Sequence, residues 1–242
     1  MKPWKTLIAG TCVAAALPVT AAYADGMGAE GVARASQLVM APDLQSKERT
    51  SKGFSLIRAG RPQQAIAEFD AVIAAADRQY SGDPRPRLCA RDEATARQFA
   101  GPGKEPVMID PAVCDAHFGK GFALIDLGKG NLAEGELRRA IELAPYEAHY
   151  VNEYAELFKS RREWQKSHDL FARAWAIVDK DKSGPDAKVA ARALRGMGYT
   201  QIGLGRLDDA ERLFRQSQEY EPDSKAAHFE LSHIARKKAI GS

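Results

Sequence analysis

The sequence predicts an all-α solenoid of antiparallel helix pairs, and three observations predict it. Four stretches fall on one template with a period of about 34 residues. With Gly53, Gly121, Ala155 and Gly198 aligned as one column, the next holds Leu56, Leu124, Phe158 and Gln201. The following columns hold Ala65, Ala133, Ser167 and Ala210, then Phe69, Leu137, Phe171 and Phe214, then Val72, Ala140, Ala174 and Ser217. Small and large residues alternate, and each stretch closes at Asp77, Pro145, Asp179 or Pro222. The second observation is the spacing within a stretch: Ala65, Ile66, Phe69, Val72 and Ile73 lie on one face of a helix and not of a strand. The third is a turn signal in the middle of each stretch, such as Gly60, Arg61 and Pro62 or Gly128 to Asn131. A single helix pair cannot bury its own apolar face, so such units must stack.

The elements follow in order. Residues 1–24 read as an export signal: Lys2 and Lys5 supply a positive start, 7–20 is apolar and small, and Ala22, Tyr23 and Ala24 form a small-x-small cleavage site. Cleavage after Ala24 predicts a periplasmic protein with no membrane span left, since this apolar run is shorter and weaker than a span requires. Residues 25–45 form a lead segment with a short helix over 32–39, ended by Pro42. The first repeat covers 46–79, with helices over 47–59 and 63–78 and Pro62 where a first-turn proline is tolerated.

Residues 80–113 break the template. Pro84, Pro86, Pro102, Pro106 and Pro111, with Gly82, Gly101 and Gly103, exclude a long regular element, although a short helix over 92–99 fits. The template resumes two periods after the first repeat, so this segment either replaces a decayed repeat or is an insertion of similar length.

The second repeat, 114–147, has helices over 115–127 and 132–143, stopped by Pro145. The third, 148–181, follows directly, with helices over 148–159 and 163–179 and with Ser160, Arg161 and Arg162 in place of a glycine turn. The period slips across a polar loop, 182–190. The fourth repeat spans 191–224, and a last helix over 225–242 caps the stack, its outer side carrying Arg236, Lys237 and Lys238.

Charge and cysteines narrow the function. Loss of Lys2 and Lys5 takes the cations from 35 to 33, against 32 acids, so the exported chain is near neutral and lacks the basic face that nucleic-acid binding needs. Of three cysteines, Cys12 leaves with the signal. Cys89 and Cys114 remain, an even pair in an oxidising compartment, and a disulfide between them would tie the excursion to the next repeat for about 3 kcal/mol. The competing reading is a metal site built on Cys114 and His117, but the four ligands of a zinc site are not assembled by the spacing.

Gly121, Leu124, Ala133, Leu137, Ala140 and Pro145, with Gly198, Ala210, Phe214 and Pro222, resemble the tetratricopeptide repeat family. The resemblance covers about 46–79 and 114–240. The tryptophan often found early in that motif is absent; Arg49, His117, Val151 and Leu194 stand there. The resemblance implies a right-handed stack whose first helices line a concave groove that holds a peptide or a partner helix. Helical geometry then points toward the groove Thr50, Phe54 and Arg58; Phe118, Phe122 and Ile125; Asn152, Glu156 and Lys159; Arg195, Tyr199 and Ile202; and Phe229 with His233 on the last helix. For Phe54, Phe118 and Phe122 the alternative is packing beneath the excursion or the lead segment. One branch of the family grips a chaperone's terminal carboxylate with Lys, Asn and Arg. The matching positions here hold Lys47, Thr50, Phe118, Asn152 and Arg195, too scattered a set for that role.

No catalytic motif is present. Residues 101–104 lack the spacing of a phosphate loop, and there is no His-Glu-x-x-His and no Gly-x-Ser-x-Gly. The five histidines are scattered, and His168 beside Asp169 has no activated serine near it in the pattern. The expectation is therefore a non-enzymatic scaffold or assembly factor of the cell envelope, without cofactor or metal. Its partner is a protein or peptide bound through Phe54, Arg58, Phe118, Phe122, Asn152, Glu156, Arg195 and Tyr199. Self-association is a further expectation. The alternative is an accessory subunit that binds a small molecule or glycan through 80–113.

Overall fold

In a computed structural model, the structure describes residues 44–178 and 180–241. The expected signal, most of the lead segment and Asp179 lie outside them. The described residues form ten helices and one short sheet: α1 (Leu44–Arg58), α2 (Pro62–Gln79), β1 (Arg87–Leu88), α3 (Glu93–Ala100), β2 (Val107–Met108), α4 (Pro111–Asp126), α5 (Gly130–Leu143), α6 (Ala148–Ser160), α7 (Trp164–Ile177), α8 (Ala187–Gly203), α9 (Leu207–Gln218) and α10 (Lys225–Gly241). None of these helices is long and apolar enough to cross a membrane.

Each repeat is a helix pair, and its signature is one contact made again and again. A Cβ added at Gly53 would stand 2.5 Å from the Phe69 ring; at Gly121 it would meet Leu137 at 2.7 Å, and at Gly198 Phe214 at 2.9 Å. The small column therefore exists to seat the large column of the same repeat. Ser167, the polar member of an alanine column, is fully buried, and its hydroxyl donates to Ala155 O at 2.8 Å, so the hydroxyl is paired rather than stranded. The turn inside each pair needs a left-handed residue. Gly60, Gly128 and Gly205 sit at φ 69°, 70° and 77°, and the equivalent in the third repeat is Arg162 at φ 60°.

The repeats stack in two layers. Each second helix (α2, α5, α7, α9) packs on the first helix of its own pair and on the next first helix. First helices also touch one another, α1 with α4, α6 with α8 and α8 with α10. The first helices thus form the inner layer.

The excursion is an insertion and not a decayed repeat. Despite the intervening residues, α2 packs directly on α4, and Gly119 receives the Phe69 ring from its other side. The inserted segment is also more ordered than its prolines suggest. β1 and β2 pair in parallel, Arg87 with Val107 and Leu88 with Met108. The helix α3 crosses between them, its Asp92 cap accepting from Thr95 N at 2.7 Å. Leu88, Ala90 and Ala96 make its small core, with Met108 and Tyr146 against them. Three ties hold it to the solenoid: the Cys89–Cys114 disulfide, with Cα atoms 6.4 Å apart; Cys89 N donating to Leu143 O at 2.8 Å; and the Tyr146 hydroxyl donating to Cys89 O.

Two first helices begin a turn earlier than the repeat register. α4 starts at Pro111, with Asp110 capping Ala112 N at 2.8 Å, and α8 starts at Ala187, which shortens the polar loop before it.

Candidate partner-binding surface

The inner layer presents rows of side chains, one from each first helix. One row holds Thr50, Phe118, Asn152, Arg195 and Phe229. The next two hold Phe54, Phe122, Glu156 and Tyr199, then Ile57, Ile125, Lys159 and Ile202.

The structure divides the expected site residues into those spent on helix packing and those left open. Thr50 is buried and donates to Ala112 O at 3.3 Å. Phe54 packs edge-on against Phe69, 5.4 Å between centroids. Phe118 is buried and stacks on Tyr150 at 4.7 Å, with Phe122 at 5.7 Å and His149 at 5.1 Å around it. These rings fill the space between α1, α4 and α6; their ring partners come from those helices and α2, not from the excursion. Asn152 is fully buried: its Nδ2 donates to Val189 O at 3.1 Å, which fastens α6 to α8, while its Oδ1 has no partner. As the chain stands, Phe118 and Asn152 offer a partner almost no surface.

The charged residues of α6 and α8 form a ladder. Arg192 pairs with Glu153 and lies 4.0 Å from Glu156, Glu156 pairs with Lys159, and Arg195 pairs with Glu221 at 2.6 Å. Tyr199 is 40% exposed, with the Lys159 ammonium 4.9 Å from its ring centre and Trp164 at 6.2 Å. Arg58 is exposed and bonds only the Ser55 hydroxyl, at 2.9 Å, among the described residues. Apolar surface remains open at Ile125, 38% exposed, and at Phe229, 62% exposed. At the N-terminal end, a hollow of about 450 Å³ lies between α1 and the start of α4, with Phe54 and Pro111 in its walls and Lys47, Arg58 and Asp115 around it.

Sequence reasoning missed the residues one turn earlier in the first helices: Asp115, His149 and Arg192. Their signal was the repeat register itself, since they share a column with Lys47. Burial raises the Asp115 carboxyl, although the Tyr150 hydroxyl donates to it at 2.5 Å. Burial, with Arg192 adding to it, pushes the His149 imidazole down to about 4. Burial likewise raises Glu153, against the pull of Arg192. Among the described residues, the two positions of the competing metal reading are otherwise engaged: Cys114 is in the disulfide, and His117 Nδ1 lies 2.7 Å from Glu136 Oε2.

A second concavity was not foreseen. A cleft of about 450 Å³ separates α3 of the insertion from the α5–α6 turn and the facing ends of α7 and α8.

No family model matches the sequence, and no curated protein matches it. Among solved structures, the chain is similar to PilF of Pseudomonas aeruginosa, over 82% of this chain and 71% of that one, with a TM-score of 0.59 at 13% identity. It is similar to MamA of Desulfovibrio magneticus RS-1 over 82% and 88%, at 0.55 and 14%. It is similar to a putative kinesin light chain of TPR-like repeats from Podospora anserina over 83% and 90%, at 0.56 and 13%. The architecture is that of the tetratricopeptide solenoid.

Proposed function

We propose that this protein is a non-catalytic interaction scaffold that binds a partner peptide or helix along its inner layer. The observation that carries the reading is open apolar and aromatic surface on three first helices, Ile125 on α4, Tyr199 on α8 and Phe229 on α10, with the charged Glu156 and Lys159 of α6 between them, on a layer that no other described element covers. Preformed helices supply that surface without an ordering cost, and aromatic residues of this kind dominate binding energy where they are buried by a partner. The expected site residues divide accordingly. Phe122, Glu156, Arg195, Tyr199 and Arg58 are within reach of a partner, whereas Phe54, Phe118 and Asn152 hold the helices that present them.

The same proposal places the protein in the periplasm, as an assembly factor of the cell envelope. Its support is the signal-like start of the sequence and a disulfide suited to an oxidising compartment. Amino-terminal sequencing of the protein recovered from the envelope checks the location, with Asp25 the expected first residue. The binding role is tested by crosslinking in the native envelope with mass spectrometry, comparing the natural chain with Tyr199→Ala/Phe229→Ala. Both residues lie outside the fully buried core, so the variant folds. A discrete partner captured by the natural chain and lost in the variant is the expected result; undiminished capture by the variant refutes the inner-layer site.

A further inference from the structure

We propose that the cleft between the insertion and the solenoid is a second binding site, which takes a lysine or arginine side chain of a partner polypeptide. The cleft is built from four separate elements. Its insertion wall carries Arg91, Gln98 and Phe99; its floor is Tyr146 and Glu147; Asp186 closes the far side, before α8. Its volume, about 450 Å³, suits a side chain with its flanking backbone rather than a lone ion.

The chemistry selects a cation. Phe99 and Tyr146 sit with ring centres 6.2 Å apart, and Phe99 keeps 36% of its surface in solvent. Two carboxylates, Glu147 and Asp186, line the same space, and neither takes part in an ion pair among the described residues. One internal cation already shows how the walls receive such a group. The Arg91 guanidinium lies over the Tyr146 ring, 5.2 Å from its centre. That arrangement leaves two negative groups for one positive one, beside an aromatic face suited to a cation. Burial is what chiefly raises the Glu147 carboxyl; Arg91 and the His149 backbone amide pull it back down, and Asp186 adds a smaller push upward. An incoming guanidinium or ammonium restores the balance. Gln98, exposed at the rim and free of hydrogen bonds among the described residues, stands ready for a flanking peptide bond.

The site also gives the disulfide a function. Cys89 is two residues before Arg91 in the chain; the disulfide anchors it to α4, and its own N–H to Leu143 O and the Tyr146 hydroxyl to its O then hold the wall that bears Arg91 against the floor that bears Tyr146 and Glu147. This site is independent of the inner layer, and its failure would leave the scaffold reading untouched.

The test is a titration of the oxidised exported chain with the acetylated, amidated tripeptide Gly-Arg-Gly, followed by amide NMR. The controls are its citrulline isostere and spermidine. The expected result is saturable shifts confined to α3, the α5–α6 turn and the start of α8, with the citrulline peptide at least tenfold weaker. Glu147→Gln/Asp186→Asn, shown to be folded by an unchanged amide spectrum elsewhere, is expected to lose tenfold or more in affinity. The single Asp186→Asn, on an exposed loop end, is expected to lose severalfold. Tyr199→Ala is expected to bind as the natural chain does. Equal binding of the arginine and citrulline peptides, binding of spermidine alone, or no shifts at the cleft overturns the proposal.

Discussion

Arg162 holds φ at 60° where the other repeats place a glycine, and its side chain is exposed. A left-handed backbone costs an L-residue about 1–2 kcal/mol. Arg162→Gly is therefore expected to raise the unfolding free energy by about 1 kcal/mol in urea denaturation, part of the gain being lost to the freer unfolded chain. Gly119 has the opposite constraint. An added methyl would enter the Phe69 ring, so Gly119→Ala is expected to destabilise by about 1–3 kcal/mol and to loosen the first repeat from the second. His149 makes stability depend on pH. Its folded value near 4 lies below the ordinary 6.5, so the unfolded chain binds the proton first. That contribution is present above pH 6.5 and is lost as pH falls toward 4, by up to about 3 kcal/mol at one unit per 1.36 kcal/mol. The raised carboxyls of Asp115, Glu147 and Glu153 act in the other direction, relieving strain as the pH falls. The difference between the natural chain and His149→Gln isolates the imidazole: the natural chain is expected to lose ground to the variant steadily between pH 6.5 and 4. A constant difference across that range would show that His149 is not neutral in the fold.

At the scale of the element, the helix pairs could be read from the sequence because one spacing governs both turn and contact. Gly53 with Phe69, Gly121 with Leu137 and Gly198 with Phe214 are three instances of a single interlock. The insertion could not be read in the same way. Its strands are two residues long, too short to show any alternation, and its order comes from distant partners, Leu143 O and the Tyr146 hydroxyl. Nor could the period decide between an insertion and a decayed repeat, since either occupies the same length. Packing decides it, through the α2–α4 contact. The disulfide closes a separation of 25 residues, and its loss is expected to cost about 3 kcal/mol. In Cys89→Ala/Cys114→Ala, hydrogen exchange is expected to quicken at Leu88, Cys89 and α3. Amides of α2 and α5 should stay protected, because both helices still pack on α4 without the disulfide.

For the whole molecule, the resemblance to tetratricopeptide arrays located the inner layer but not its free surface. Helical position alone places Phe118 and Phe122 alike, although only one of them stacks on Tyr150 and is buried. Asn152 looks like an open polar residue in the sequence, yet it is drawn into the joint between α6 and α8 by the carbonyl of Val189. What no repeat pattern contains is how far apart successive first helices stand, and that distance decides which side chains fill the gap and which face outward. The remaining open surface, from Ile125 to Phe229, is the physical basis of the scaffold reading. The most direct measurement is site-specific photocrosslinking in intact cells, with benzoylphenylalanine placed in turn at Ile125, Tyr199 and Phe229 of the inner layer and at Arg215 of the outer layer. The account predicts one shared adduct from the three inner positions and none from Arg215. Adducts from Arg215 alone, or none from any inner position, would contradict it.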